Sequence, residues 1–152
     1  MTASGRGDVI ACEARPESLD PIFAFLDRHC AGVADLQSAF AMRLAAEEVC
    51  ANVIAHGYNG VEPGPIRVAF EHRPGALAVT VEDRGIPFDP ADAPPPPIEE
   101  PWDVRPIGGV GWYLVRRMVD EVLYEAVPGG GNRVTLVKRL ANSSAGDPET
   151  GS

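Results

Sequence analysis

Residues 44–57 read Leu44-Ala-Ala-Glu-Glu-Val-Cys-Ala-Asn-Val-Ile-Ala-His56-Gly57, an apolar stretch with helical spacing that carries polar residues where a core helix would normally have none. At 3.6 residues per turn, the side chains of Glu48, Asn52 and His56 are predicted to lie on one stripe of the helix. A buried carboxylate and a buried amide are costly unless they find partners. The stretch therefore predicts a helix that holds something polar.

A second motif, Asp83-Arg-Gly85-Ile-Pro87-Phe88, follows a segment that alternates like a strand. The carboxylate of Asp83 could accept a hydrogen bond from an exocyclic amine such as that of adenine. Gly85 would let the backbone pass close to a flat ligand. Taken alone, this pattern also fits an ordinary turn.

A third motif, Gly108-Gly109-Val-Gly111, opens a predicted helix. The free N–H groups at a helix start favour anions, so phosphates could rest there, and Arg105 could reach a phosphate from the preceding loop. The motif is not a Rossmann fingerprint, because a proline-rich loop and not a strand precedes it. A flexible loop end remains the alternative for these glycines.

The three motifs occur in an order that predicts a nucleotide site with a divalent cation. Mg²⁺ takes oxygen ligands and prefers substrate phosphates with one or two protein oxygens, of which Asn52 could supply one. Glu48, one turn away, could accept a proton from a water or a hydroxyl that attacks the terminal phosphate. Capping a loop or facing solvent is the alternative for both side chains.

The composition limits the classes of protein to which the chain could belong. It has 152 residues with 45% hydrophobic content, which suits one compact domain. A net charge of −9 argues against capture of nucleic acid or anionic membranes and favours a protein partner or a small ligand. The three cysteines are scattered, which indicates neither a disulfide framework nor a zinc site. No signal peptide or membrane span is predicted, so we expect a cytoplasmic protein.

Hydrophobic periodicity predicts one domain over 8–140 between disordered tails at 1–7 and 141–152. Seven prolines between 89 and 107 predict a long loop that covers a site. Hairpins with few βαβ crossovers predict an α/β fold with a mixed, mainly antiparallel sheet and helices on one face. The predicted strands are 8–14, 66–72, 77–83, 122–127 and 133–140, and the predicted helices are 16–32, 36–56 and 110–121.

The motifs together resemble those of the GHKL (Bergerat) ATPase superfamily. Glu48-x-x-x-Asn52 with His56-Gly57-Tyr58 resembles the N box, and the Asp83 and Gly108 motifs resemble the first and second glycine boxes. Over residues 8–140 the chain looks most like the anti-sigma-factor serine/threonine-protein kinases. Histidine-kinase catalytic domains share the boxes, but they follow a dimerisation helix for which this chain has no room.

The resemblance implies a two-layer α/β sandwich that binds Mg-ATP under a mobile lid, 89–107. It implies Glu48 as general base, Asn52 on the metal and Asp83 on the adenine. The other nucleotide-binding residues that it implies are His56, Gly85, Phe88, Arg105, Gly108, Gly109 and Gly111. The implied partners are a sigma factor, which is sequestered, and an antagonist protein, which is phosphorylated on serine; a homodimer is compatible with this.

Two features depart from the family pattern. Many relatives carry a threonine just after the glycines of the last hairpin, where this chain has Asn132 and Arg133, and the lid is unusually rich in proline. Two other functions compete with a kinase. The chain could be a non-catalytic switch in which Mg-ATP only stabilises a partner-binding surface, or a switch domain linked to a phosphatase or sensor.

Overall fold

The computed structural model describes residues 6–89 and 109–141. In this part of the chain the strands are β1 (Arg6–Glu13), β2 (Pro65–Arg73), β3 (Ala76–Asp83), β4 (Glu121–Ala126) and β5 (Asn132–Arg139). The helices are α1 (Leu19–Ala31), α2 (Leu36–Asn52) and α3 (Gly109–Met118), with a 3₁₀ turn (Pro16–Ser18) before α1 and a π-helical turn (Val53–Gly57) after α2. Apart from Asp89, the predicted lid lies outside the described residues, as do residues 1–5 and 142–152 of the predicted tails.

The strands form one sheet in the order β1-β2-β3-β5-β4. Every described pairing is antiparallel, so the sheet lacks the parallel pair that a mixed sheet would contain. The register aligns Phe70, Val79 and Leu136 in one cross-strand row, and all three side chains are fully buried. Because successive side chains of a strand point to opposite faces of the sheet, such buried rows lie on one face, which is apolar.

The helices cover that apolar face and complete a two-layer sandwich. α2 contacts α1, α3, β3 and β5, which makes it the central helix of the layer. Its residues Met42 and Val49 belong to the same hydrophobic cluster as the sheet residues Val68, Val81 and Leu136. The predicted fold class is therefore confirmed, with a sheet that is antiparallel throughout its described strands.

Two helices end earlier than predicted. α2 ends at Asn52 and not at His56, because the next five residues form the π-helical turn. α3 ends at Met118, and the predicted helical residue Glu121 instead begins β4. The amide of Val119 still donates to a helical carbonyl, that of Val115, whereas the amide of Asp120 donates to Val137 in the sheet at 2.8 Å. Pairing with β5 thus replaces the last turn of the predicted helix.

The cysteines carry free thiols, with Cys30 and Cys50 buried and Cys12 half-buried. Burial raises the pKa of the Cys50 thiol to about 12 and that of Cys30 to about 11. Among the described helices, none has the length and apolar character needed to cross a membrane.

Candidate nucleotide-binding site

The α-helical part of the predicted polar stripe ends at Asn52. Asn52, the last residue of the helix, is 9% exposed, and its amide Nδ2 is buried without a hydrogen-bond partner among the described residues. Glu48, one turn earlier, is half-buried. His56 is exposed and lies in the π-helical turn after the helix, so its place on the same stripe stays a prediction.

The π-helical turn brings the end of α2 against the second motif. The carbonyl of Gly57 accepts a hydrogen bond from the amide of Ile86 at 2.8 Å. A Cβ atom added at Gly85 would overlap that same carbonyl oxygen. Glycine is therefore required at 85 by a close backbone approach.

Asp83 ends β3 as a buried carboxylate with 5% exposure. Its Oδ1 accepts hydrogen bonds from the amide of Gly85 at 2.7 Å and from Asn132 Nδ2 at 3.1 Å. Burial raises the pKa of Asp83, and these two hydrogen bonds act in the opposite direction. With both described bonds on Oδ1, Oδ2 is the oxygen available to an exocyclic amine.

Asn132 and Tyr58 support this loop, and their contacts were not predicted. Asn132 lies opposite Asp83 in the register of β3 and β5, and its side chain also bonds the loop through Ile86 and Phe88. The Tyr58 hydroxyl accepts from the amide of Arg84 at 2.8 Å and donates to the carbonyl of Pro65 at 2.6 Å. Two features of the sequence could have pointed to these contacts: Asn132 directly follows the glycines of the last hairpin, and Tyr58 directly follows His56-Gly57 of the N-box motif.

The third motif meets the first at Gly111. A Cβ atom added there would overlap the carboxylate of Glu48 and would lie 2.8 Å from its Cδ atom. Glu48 therefore packs directly against the first turn of α3, which begins at Gly109. Gly108 and Arg105 lie outside the described residues.

Phe88 gives a second connection between the motifs. Its ring centroid lies 6.2 Å from that of Trp112 in α3, while its own side chain is 43% exposed. Trp112 is buried. The loop after Asp83, the end of α2 and the start of α3 thus converge on one region of the molecule.

A two-layer sandwich whose three motifs meet in this way defines a class of ATPase domains. A family profile described as "Histidine kinase-like ATPase domain" matches residues 12–138, and the chain belongs to this family. This confirms the superfamily predicted from the sequence motifs.

Similar proteins include several named serine kinases. The chain is 27% identical over 105 residues to the serine/threonine-protein kinase BtrW of Bordetella bronchiseptica, in an alignment that covers 69% of this chain and 73% of that protein. It is 32% identical to the serine-protein kinase RsbW of Bacillus velezensis, with 65% and 63% of the two chains covered. It is 26% identical to an anti-sigma F factor of Geobacillus kaustophilus, with 68% and 71% covered. The predicted similarity to anti-sigma kinases is confirmed.

Solved structures give the same fold. The RsbU and RsbW domains of a Mycobacterium tuberculosis protein superpose with a TM-score of 0.62 at 21% identity, covering 88% of this chain and 32% of that one. The histidine kinase domain of a blue-light-activated kinase from Erythrobacter litoralis superposes with a TM-score of 0.55 at 21% identity, covering 85% and 62%.

Proposed function

We propose that this chain is a cytoplasmic anti-sigma regulatory factor that binds Mg-ATP, sequesters a sigma factor and phosphorylates a serine of an antagonist protein. The observation that carries the proposal is the packing of the Glu48 carboxylate against Gly111. It puts a candidate base beside the helix start where phosphates are favoured. The relatives named as serine kinases and anti-sigma factors support the same function.

The residues present fit a magnesium ion. Asn52 is almost completely buried, yet its Nδ2 atom has no partner among the described residues, and this donor would be satisfied by a phosphate oxygen of the same Mg-nucleotide. Its carbonyl oxygen is the type of ligand that Mg²⁺ prefers. Asn52 would hold the ion, which would neutralise charge on the phosphates.

Glu48 performs the proton transfer in the proposed reaction. The serine oxygen forms a bond to the terminal phosphorus, and the bond from that phosphorus to its bridging oxygen breaks, so that ADP leaves with the electron pair. Glu48 accepts the hydroxyl proton, while Asp83 holds the adenine through its Oδ2 atom. Glu48 lies on α2 and Asp83 ends β3, so the backbones that carry both side chains are in place before the substrate arrives.

The test compares nucleotide binding with phosphoryl transfer. Glu48→Gln keeps the size of the side chain but removes the base, so we expect Mg-ATP affinity to stay near that of the wild type while transfer falls by about 10²–10⁴-fold. Asn52→Ala should weaken both. Glu47→Gln is the matched control, because Glu47 occupies the same helix but bonds Arg43 at 2.8 Å. Its transfer rate should stay close to the wild-type rate.

Calorimetric titration with Mg-ATP and radiolabelled transfer to antagonist proteins encoded beside this chain provide the two readouts. An unchanged rate in Glu48→Gln would remove Glu48 from its role. Wild-type binding of ATP without transfer to any such antagonist would support the switch module instead.

A further inference from the structure

Asn132 is the most heavily bonded side chain in the described part of the site. It is 6% exposed, and its Nδ2 donates to Asp83 Oδ1 at 3.1 Å and to the carbonyl of Ile86 at 2.9 Å. Its Oδ1 accepts from the amide of Phe88 at 2.7 Å and from the Tyr124 hydroxyl at 2.8 Å. The two donors and two acceptor sites of the amide are all used.

Two backbone groups determine which way this amide faces. The amide of Phe88 can only donate and the carbonyl of Ile86 can only accept, so Oδ1 must face Phe88 and Nδ2 must face Ile86. The orientation therefore does not depend on Asp83. It forces the Asp83 oxygen beside Nδ2 to be an acceptor.

This orientation controls how Asp83 can recognise a base. Oδ1 receives hydrogens from Asn132 and from the amide of Gly85, which favours the ionised carboxylate although the group is buried. An ionised Oδ2 accepts a hydrogen from the amino group of adenine, whereas it would repel the carbonyl oxygen of a 6-oxo purine. A protonated Asp83 could instead donate to that carbonyl.

The geometry points to Asn132, held by Tyr124, as a positioning residue that sets the base preference of the site by keeping Asp83 an acceptor. This inference rests on the proposed nucleotide binding. β4 is an edge strand that contributes no predicted site residue. The inference gives it a role in the site, because its Tyr124 hydroxyl bonds Asn132. A purely structural role for Asn132 would weaken all nucleotides alike.

The test measures binding of ATP and of inosine triphosphate, a 6-oxo purine nucleotide, to the full chain. Asn132→Asp keeps an acceptor for Phe88 and Tyr124 but replaces the donor beside Asp83 by a carboxylate oxygen, and two such carboxylates tend to share a proton. We expect ATP affinity to fall about 10- to 100-fold, with a much smaller loss for inosine triphosphate. The ratio of the two affinities should also become dependent on pH.

Tyr124→Phe is the milder variant and should lower the preference for ATP about fivefold, as one neutral hydrogen bond is lost. Thr135→Val is the control on β5, because Thr135 meets Thr80 at 3.2 Å, away from the Asp83 network. Its base preference should equal that of the wild type. Thermal melts of each variant separate folding from binding.

The outcomes separate this inference from the function on which it rests. If the wild type binds no ATP, both fail. If the wild type prefers ATP and folded Asn132→Asp keeps the wild-type ratio at every pH, the positioning role is overturned while nucleotide binding stands. If Asn132→Asp does not fold, an unchanged ratio in Tyr124→Phe overturns it.

Discussion

Gly111→Ala should lower the rate of phosphoryl transfer while leaving the free energy of unfolding almost unchanged. The new Cβ atom would lie 2.8 Å from the Cδ atom of Glu48, whereas carbon atoms pack at about 3.5–4.0 Å. The carboxylate must therefore move by about 1 Å. A displacement of that size at a reacting group can reduce the rate by about 10²-fold.

The stability of the fold should change little in the same variant. The close neighbour of the new atom is the end of a flexible side chain, which can swing away at small cost. Alanine also forms helix better than glycine, by up to about 1 kcal/mol in a helix interior. We expect the free energy of unfolding to stay within about 1 kcal/mol of the wild-type value.

Radiolabelled phosphoryl transfer and urea denaturation measure the two quantities. Gly32→Ala is the matched control, because a Cβ atom at Gly32 would meet nothing within 4 Å. A Gly111→Ala protein that transfers the phosphoryl group at the wild-type rate would refute the proposed role of Glu48 as the base. A variant that loses several kcal/mol of stability would refute the reasoning about its packing.

Three further variants test other contacts. Asp35→Asn removes a carboxylate whose pKa is lowered by its hydrogen bonds from the amide of Ala141 and from Ser38. The stability that this carboxylate contributes is present above the unfolded-state pKa, about 4, and is lost as pH falls through the lower folded value. The melting temperatures of wild type and variant should therefore converge at low pH and differ at pH 7. Tyr58→Phe leaves the Arg84 amide without its partner and should cost about 1–3 kcal/mol in urea denaturation. The wild type should lose ATP affinity as pH falls, because burial raises the pKa of Asp83 and its carboxylate is protonated at a less acidic pH than a free aspartate. Asp83→Asn should not show this loss.

Much of the site followed from local spacing. The interval between Glu48 and Asn52 is one helical turn, and the structure places both on the last turns of α2. Gly85 was predicted to allow a close backbone approach and Gly111 to lie at a helix start, and both lie against atoms of the first motif. Local patterns of this kind depend on neighbouring residues alone, which is why they can be read from the chain.

Other parts of the site depended on contacts between distant residues. The predicted extension of α2 to His56 was wrong: the chain widens into a π-helical turn after Asn52, and Gly57 bonds Ile86 in the loop after β3. The extension of α3 was wrong because Asp120 bonds β5. In both cases the regular helix ends where the chain bonds a distant segment, the loop after β3 for α2 and strand β5 for α3.

The sequence alone determined the types and order of the elements, the antiparallel hairpins, the family and the identities of Glu48, Asn52 and Asp83. Only the tertiary structure decided that β5 lies between β3 and β4 and that its register places Asn132 opposite Asp83. Helical periodicity and turn chemistry act over a few residues. Strand order and register instead depend on which long-range pairing buries the apolar face and satisfies the backbone, and one residue of slip would turn Asn132 to the other side of the sheet.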